Sequence, residues 1–308
     1  MSKLQKLGGN MTTRKGKRAV FIVLALLPVF VVYTVIVLYP LIDGLIISFF
    51  DWSGLTAHRD FVGTANYQKA WENRQLLLKA FGNDMFFAVC RIVCVATISF
   101  FFAEVICRMQ LKESGFYRVV FFFPNVLSAV IISTLWLFIF NPQFGLFNGL
   151  LEAVGLESWT KPWLSDLNTV RWAIIPPMVW AQVGFYMVIY IAAIKGIPAS
   201  YYEAATVDGA SYFKQLTKIT IPLVWSHIRT TLLLMVVSCF SANFSMVNVM
   251  TNGGPGKTTW VLMKELYDSA FSYHDYGYAA TIGVIITVIA LIYTQIISRL
   301  TKSEKIEY

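Results

Sequence analysis

The sequence predicts an all-α membrane protein with six transmembrane helices and both termini on the cytoplasmic side. Three observations carry that reading. Of 308 residues, 57% are hydrophobic and only 14% charged, against about a quarter charged in a typical soluble domain. The apolar residues fall in runs of about 20, the length that matches the hydrocarbon core of a bilayer. Lysine and arginine concentrate in alternate connecting segments. With a mean hydropathy of +0.61, these features exclude a cytosolic enzyme with one core, a disordered chain and a secreted disulfide scaffold.

The spans read as residues 19–39, 85–107, 117–140, 171–194, 225–250 and 278–298. The first follows Arg14, Lys15, Lys17 and Arg18, a flank that a secretory signal would also show. Its apolar run is too long for a signal peptide and no small-residue cleavage site closes it, so an uncleaved helix is expected behind a basic segment, 1–18. With the N-terminus inside, the inner segments are 1–18, 108–118, 195–224 with Arg229, and the tail from Arg299. They hold 16 of the 25 lysines and arginines. The outer segments, 51–84, 141–171 and 251–277, hold 8. The net charge of +8 is therefore a topology signal, not a nucleic-acid footprint.

Several residues inside the spans are costly in lipid. Pro28, Pro124, Pro176 and Pro177 remove backbone donors, and neighbouring helices or a water-filled cavity must satisfy the freed carbonyls. Arg91 reads as an arginine snorkelling to the outer interface, the alternative being a residue on a polar pathway. Glu104 and Arg108 stand at i,i+4 near an inner end and read as a structural pair. Ala279, Gly283 and Thr287 form a small-residue packing seam. Cys90 and Cys94 share a helix face, but no histidine or cysteine pair with ligand spacing joins them. All four cysteines, with Cys107 and Cys239, read as small buried hydrophobes.

The loop at 196–222 is the most informative segment. Pro198 and Ser200 are helix-start signals, Glu203-Ala204-Ala205 favours helix and Gly209 is a stop, so a short helix, a turn and a second short helix are expected. Pro222 is expected to break the chain before the fifth span. A rigid element of this kind would transmit force to a partner; the alternative is a helix lying on the inner leaflet.

Glu203-Ala204-Ala205, three residues, Gly209, nine residues, then Ile219-x-Ile221-Pro222 resembles the EAA signature of permease subunits of binding-protein-dependent ATP-binding-cassette importers. Ile221 stands where leucine is usual. Other stretches are similar to the carbohydrate importers of the maltose-permease type: Tyr39-Pro40 with Ser48-Phe49 and Trp52, Phe61 to Tyr67, Asn141 to Gly145, Thr251 to Pro255, and Tyr276 to Ala280. The resemblance covers roughly residues 20–300 and lacks the additional spans and extra domain of the larger maltose permeases. It implies a permease domain at 19–300, with its coupling loop at 196–222 and a short cytoplasmic tail at 301–308.

The resemblance also implies the partners. These are a second homologous permease subunit, two ATPase subunits and an extracytoplasmic solute-binding protein, all at the inner membrane of a bacterium. The helix around Glu203, Ala204, Ala205, Asp208 and Gly209 would dock into a cleft of one ATPase. ATP and magnesium would sit on the ATPases, with no cofactor on this chain and no nucleic acid involved. Gly253-Gly254-Pro255-Gly256-Lys257-Thr258 imitates the end of a phosphate-binding loop, but position 251 is Thr where that loop needs glycine, and no strand precedes it. A turn or scoop at the outer mouth is expected instead.

A sugar site needs amides and hydroxyls for the OH groups and aromatic faces for the C–H surfaces. Mid-span candidates are Asn125, Gln182, Phe240, Ser241, Asn243 and Ser245. The competing reading is that these groups bond to neighbouring helices. A stand-alone secondary transporter would want acidic residues buried mid-span, and none is convincing apart from Glu104. A membrane-embedded enzyme would want a catalytic pair in the spans, and none is visible. Glycerol phosphate or another organic solute is the alternative cargo; phosphate would favour basic groups in the pathway, where only Arg91 qualifies.

Overall fold

A computed structural model describes residues 14–56, 58–109 and 113–301. Most of the basic segment 1–18 and the tail after Thr301 lie outside the described residues. Helix α1 (Arg14–Tyr33) passes through a π-turn at Thr34–Leu38 into α2 (Tyr39–Ile47). The first span is thus longer than 19–39. Pro40 does not end it, because the proline falls in the first turn of α2, where its missing N–H costs little.

An antiparallel ribbon follows, β1 (Phe50–Asp51) against β2 (Asp60–Phe61), with Phe50 opposite Phe61. Helix α3 (Ala65–Glu72) leads into α4 (Arg74–Arg108). At 35 residues, α4 is about 52 Å long at 1.5 Å per residue, well beyond a hydrocarbon core of about 30 Å. The third expected span is not one straight helix. Helices α5 (Ser114–Val126) and α6 (Ala129–Ile139) meet at 99°. Pro124 weakens the end of α5, Leu127 is extended, and the Ser128 hydroxyl caps α6 by accepting from the Ile131 N–H.

Next come α7 (Leu146–Ala153), α8 (Val170–Ala173) and α9 (Ile175–Lys195). Helix α9 is the centre of the bundle and packs along α4 and α5. Phe87, Val95, Met178, Met187, Tyr190 and Met235 are buried together there. Lipid supplies no hydrophobic drive for helix association, so packing and interhelical hydrogen bonds must hold it. The Ser99 hydroxyl donates to the Val183 carbonyl at 2.8 Å, and the Tyr190 and Thr231 hydroxyls meet at 2.6 Å.

The chain continues through α10 (Ala199–Val207), α11 (Tyr212–Gln215), a π-turn at Leu216–Thr220, α12 (Ile221–Val237), α13 (Cys239–Met250), α14 (Leu262–Phe271) and α15 (Tyr276–Leu300). Two expectations are corrected. Pro222 does not break the chain: Tyr212–Val237 is a continuous span, the proline again sitting in the first turn after a π-turn. The expected fifth span, 225–250, straddles the real discontinuity at Ser238. Among the described residues five helices are long and apolar enough to span a membrane, or six if the α5–α6 pair counts as one.

Three stretches singled out in the sequence converge at one end of the bundle. Asn66 donates from its amide to the carbonyls of Ser48 and Phe50, at 3.0 and 2.9 Å. The Ser48 and Tyr67 hydroxyls meet at 2.8 Å, and Lys69 pairs with Asp275. Gly277 lies against this knot: a Cβ there would stand 2.1 Å from the Phe50 carbonyl oxygen. The ribbon is thereby tied to the start of α15.

Candidate functional site

The 196–222 loop forms the expected helix, turn and helix. No residue of α10 is buried. Glu203, Ala204, Asp208 and Gly209 are exposed and Ala205 is half-buried. Gly209 has φ +70°, a conformation glycine adopts without the Cβ penalty. The Gly209 N–H donates to the Thr206 carbonyl at 3.0 Å, and the Ala210 N–H to the Ala205 carbonyl at 2.8 Å. This is the Schellman arrangement that ends a helix. The four-residue spacing from Ala205 to Gly209 therefore has a physical cause: the glycine must stand where the last carbonyls of α10 are recovered. Val207 is 87% exposed and Phe213 71%, so the free side of the loop is apolar as well as acidic.

The other side of the loop is clasped to α4. Gln215 is buried and donates to the Thr206 hydroxyl at 3.2 Å and to the Ala210 carbonyl at 3.1 Å. Its carbonyl oxygen accepts from Arg108 Nη2 at 2.5 Å. The Arg108 guanidinium lies 4.9 Å from the Tyr202 ring and 5.0 Å from the Tyr212 ring. The expected Glu104–Arg108 pair is present at 3.6 Å, with Glu104 buried. Sequence reasoning missed the rest of this cluster. The available signal was a glutamine six residues beyond Gly209, level with the basic end of a span.

The four residues chosen for a substrate pathway do not converge. Asn125 is exposed beside the α5–α6 bend and donates to the Ala181 carbonyl at 3.3 Å. The next residue, Gln182, is half-buried, with a buried side-chain oxygen that finds no partner among the described residues. Phe240 and Asn243 face the chain's own interior. Phe240 packs among Trp260, Tyr278 and Ile282. Asn243 is fully buried, and its amide donates to the Asp84 carboxyl at 2.9 Å and to the Asp84 carbonyl at 3.2 Å. Asp84 also accepts from the Leu262 N–H at 2.9 Å, so one buried carboxyl joins α4, α13 and the start of α14.

The opposite face of α13 carries Ser241, Ser245 and Asn248 at spacings of four and three, which places them in one stripe, with Ser238 at the N-cap before it and Asn252 in the turn after it. All five are exposed or half-buried. Of these, Ser238, Asn248 and Asn252 were missed, although the spacing was legible. The stripe ends at a cavity of about 740 Å³ lined by Asn141, Ser165, Thr251, Asn252, Phe138 and Phe140, among others.

Arg91 does not snorkel. It is fully buried and Nη2 donates to the Met235 carbonyl at 2.9 Å, close to the discontinuity at Ser238. Its fellow nitrogens Nε and Nη1 have no hydrogen-bond partner among the described residues. The cysteines are free thiols, Cys239 buried and the others half-buried, and the described residues contain no cluster of three or more metal-ligand side chains. A helix, α13, and not a strand, leads into the Gly253–Thr259 turn. That turn is tied to α4, where Asn83 donates to the Trp260 carbonyl at 2.8 Å and Lys79 to the Gly256 carbonyl at 3.2 Å.

The site thus combines a multi-span bundle, an exposed helix on a glycine turn and a polar stripe on α13. The chain belongs to the family described as binding-protein-dependent transport system inner membrane component, which it matches over residues 97–304. It is a permease component, not an enzyme. It is similar to the diacetylchitobiose uptake system permease protein NgcF of Streptomyces coelicolor, 30% identical over 86% of this chain and 78% of that one. It is also similar to the trehalose/maltose transport system permease protein MalF of Thermococcus litoralis, 28% identical over 92% and 95% of the two chains. It shares its fold with a chain of a bacterial alginate ABC transporter solved in complex with an alginate pentasaccharide-bound periplasmic protein. The TM-score there is 0.79, with 22% identity over 96% of this chain and all of that one.

Proposed function

We propose that the chain is one of two homologous permease subunits in an ATP-driven importer of carbohydrate, of oligosaccharide size, and forms half of the translocation pathway. The exposed face of α10 carries the reading: a helix with no buried residue, held in one orientation by the Gly209 turn and by Gln215, is built to be gripped from outside. Glu203, Ala204, Ala205 and Asp208 lie on the helix that enters a cleft of one of two ATPase subunits, with Val207 as an apolar contact and Gly209 as the turn. ATP and magnesium belong to those subunits, and this chain holds no cofactor. Closure of the ATPase pair is the bistable element, and α10 conveys its state to the spans.

This reading sets both termini and the 196–222 loop in the cytoplasm, with 1–18 and 301–308 as flanking segments of a permease domain at 19–300. The solute-binding protein docks at the other face. The relatives named for diacetylchitobiose and for trehalose and maltose support a sugar cargo, as does the chemistry of the α13 stripe. Hydroxyls and amides on one face of a span suit a solute rich in OH groups. Asn125 and Gln182 add amides on α5 and α9, while Asn243 and Phe240 back the stripe from behind.

The test is reconstitution. The chain is co-expressed with candidate permease and ATPase subunits from the same organism, purified in detergent, and assayed in liposomes with a candidate binding protein. A complex of two permeases and two ATPases that takes up an oligosaccharide in an ATP-dependent way is the expected result. Purification as a homo-oligomer that moves solute without an ATPase would sink the proposal.

A further inference from the structure

Chain continuity joins α10 to only two spans, α9 before it and the Tyr212–Val237 span after it. The Arg108 cluster adds a third. One guanidinium is touched by Tyr202 from α10, by Tyr212 and Gln215 from α11, and by Glu104 from the preceding turn of α4. Gln215 in turn holds both sides of the Gly209 turn, through Thr206 and Ala210. At its far end α4 grips the α13–α14 region: Asp84 takes Asn243 and the Leu262 N–H, Asn83 takes the Trp260 carbonyl, and Lys79 takes the Gly256 carbonyl. A single 35-residue helix therefore connects the loop at one end to the Gly253–Thr259 turn at the other.

We infer that Arg108 is a positioning residue that makes α10, α11 and α4 move as one body, so that displacement of α10 reaches the α13–α14 end of the molecule through α4. This rests on the reading of α10 as the ATPase-docking helix. The planar fork of arginine is what the site requires. It meets the Gln215 oxygen, lies against two rings and neutralises Glu104 at once, whereas a lysine ammonium keeps the charge but not the fork.

The experiment uses the complete importer in liposomes. Spin labels are attached through Phe144→Cys and Lys257→Cys, both exposed at the end remote from α10. The inter-label distance is measured before and after trapping the ATPases with ATP and vanadate. ATP hydrolysis is measured on the same preparations. The parent should show a distance shift on trapping. Arg108→Lys, which retains a charge for Glu104, and Gln215→Leu, which leaves the Glu104–Arg108 pair intact, should each lose most of that shift while hydrolysis stays within about twofold of the parent. Uptake should fall about tenfold, within the range by which residues along a coupling route act. The double variant should be no worse than either single one, because the two side chains act as a unit.

A shift that persists in both variants overturns the inference. So does the absence of a shift in the parent, or loss of shift and hydrolysis together because the complex no longer assembles, which would make the cluster merely structural. Val207→Ser separates this from the proposed function. If it releases the ATPase while Arg108→Lys leaves the shift unchanged, α10 docks but Arg108 does not transmit. If ATPase retention is indifferent to Val207, the docking reading itself falls.

Discussion

The two ends of α4 are fastened in different ways. At the Asp84 end the bonds run largely to backbone: Asn83 to the Trp260 carbonyl, Asp84 to the Leu262 N–H, and nearby Asn66 to two carbonyls of the ribbon region. Asn66, Asn83 and Asp84 are all buried. At the Arg108 end the fastening to the loop is side chain against side chain, and the element fastened, α10, stays exposed on its far side. Backbone-directed bonds from buried groups set the path of a chain. Side-chain contacts around a guanidinium let a rigid element be carried and still be reached by a partner. Rigidity is built where loops must hold their shape, and accessibility where a helix stays exposed on its far side.

Asp84→Leu should cut deepest into this contrast. It orphans the buried Leu262 N–H, at a cost of about 1–3 kcal/mol, and leaves the Asn243 amide only the backbone carbonyl of residue 84. Heating in detergent should show earlier loss of monodisperse protein than for any substitution on α10. Asn66→Ala should come next, taking the amide from the Phe50 carbonyl and leaving the Ser48 carbonyl with the Thr281 hydroxyl alone, at a cost of about 1–3 kcal/mol. Its signature is faster amide exchange in the β1–β2 ribbon with little change around α10. Gly209→Ala is smaller, about 1–2 kcal/mol for a Cβ in the left-handed region. That cost is local, so exchange at Ala210 should rise and transport coupling should weaken while the global transition stays put. Val207→Ser should leave stability within about 0.5 kcal/mol, as exposed substitutions do, yet reduce the ATPase that co-purifies. Were Val207→Ser as destabilising as Asp84→Leu, the division between the two ends would be false.

Much of this was legible in the residues. Runs of apolar residues located the first, second, fourth and last expected spans but misplaced the fifth and hid the bend in the third, and the Ala205-to-Gly209 spacing located the turn, a local demand of a helix. The ends of spans were less legible. Asn83 and Asp84 looked like the polar boundary of the second span, yet α4 runs through them, since their partners come from more than 150 residues later in the chain. Arg91 was misjudged for the same reason: the Met235 carbonyl that receives it lies on another helix. Asn243 and Ser241, two positions apart, are equally polar in the sequence, and only packing decides that one points inward and the other does not. The motifs around Ser48, Asn66 and Gly277 were readable as words without a shared meaning. Their meaning is that Ser48, Asn66, Tyr67, Asp275 and Gly277 sit in one knot.

The π-turns before Pro40 and Pro222 have a further consequence. Each amounts to a single residue inserted into an otherwise regular helix. Removing one residue between Leu216 and Thr220 would restore an ordinary ladder, shorten the path by about 1.5 Å and rotate everything upstream by about 100° relative to α12. The loop would then present a different side to whatever grips it. The length of that five-residue turn sets the phase between α10 and the Tyr212–Val237 span, so an indel there is a change of angle rather than of reach.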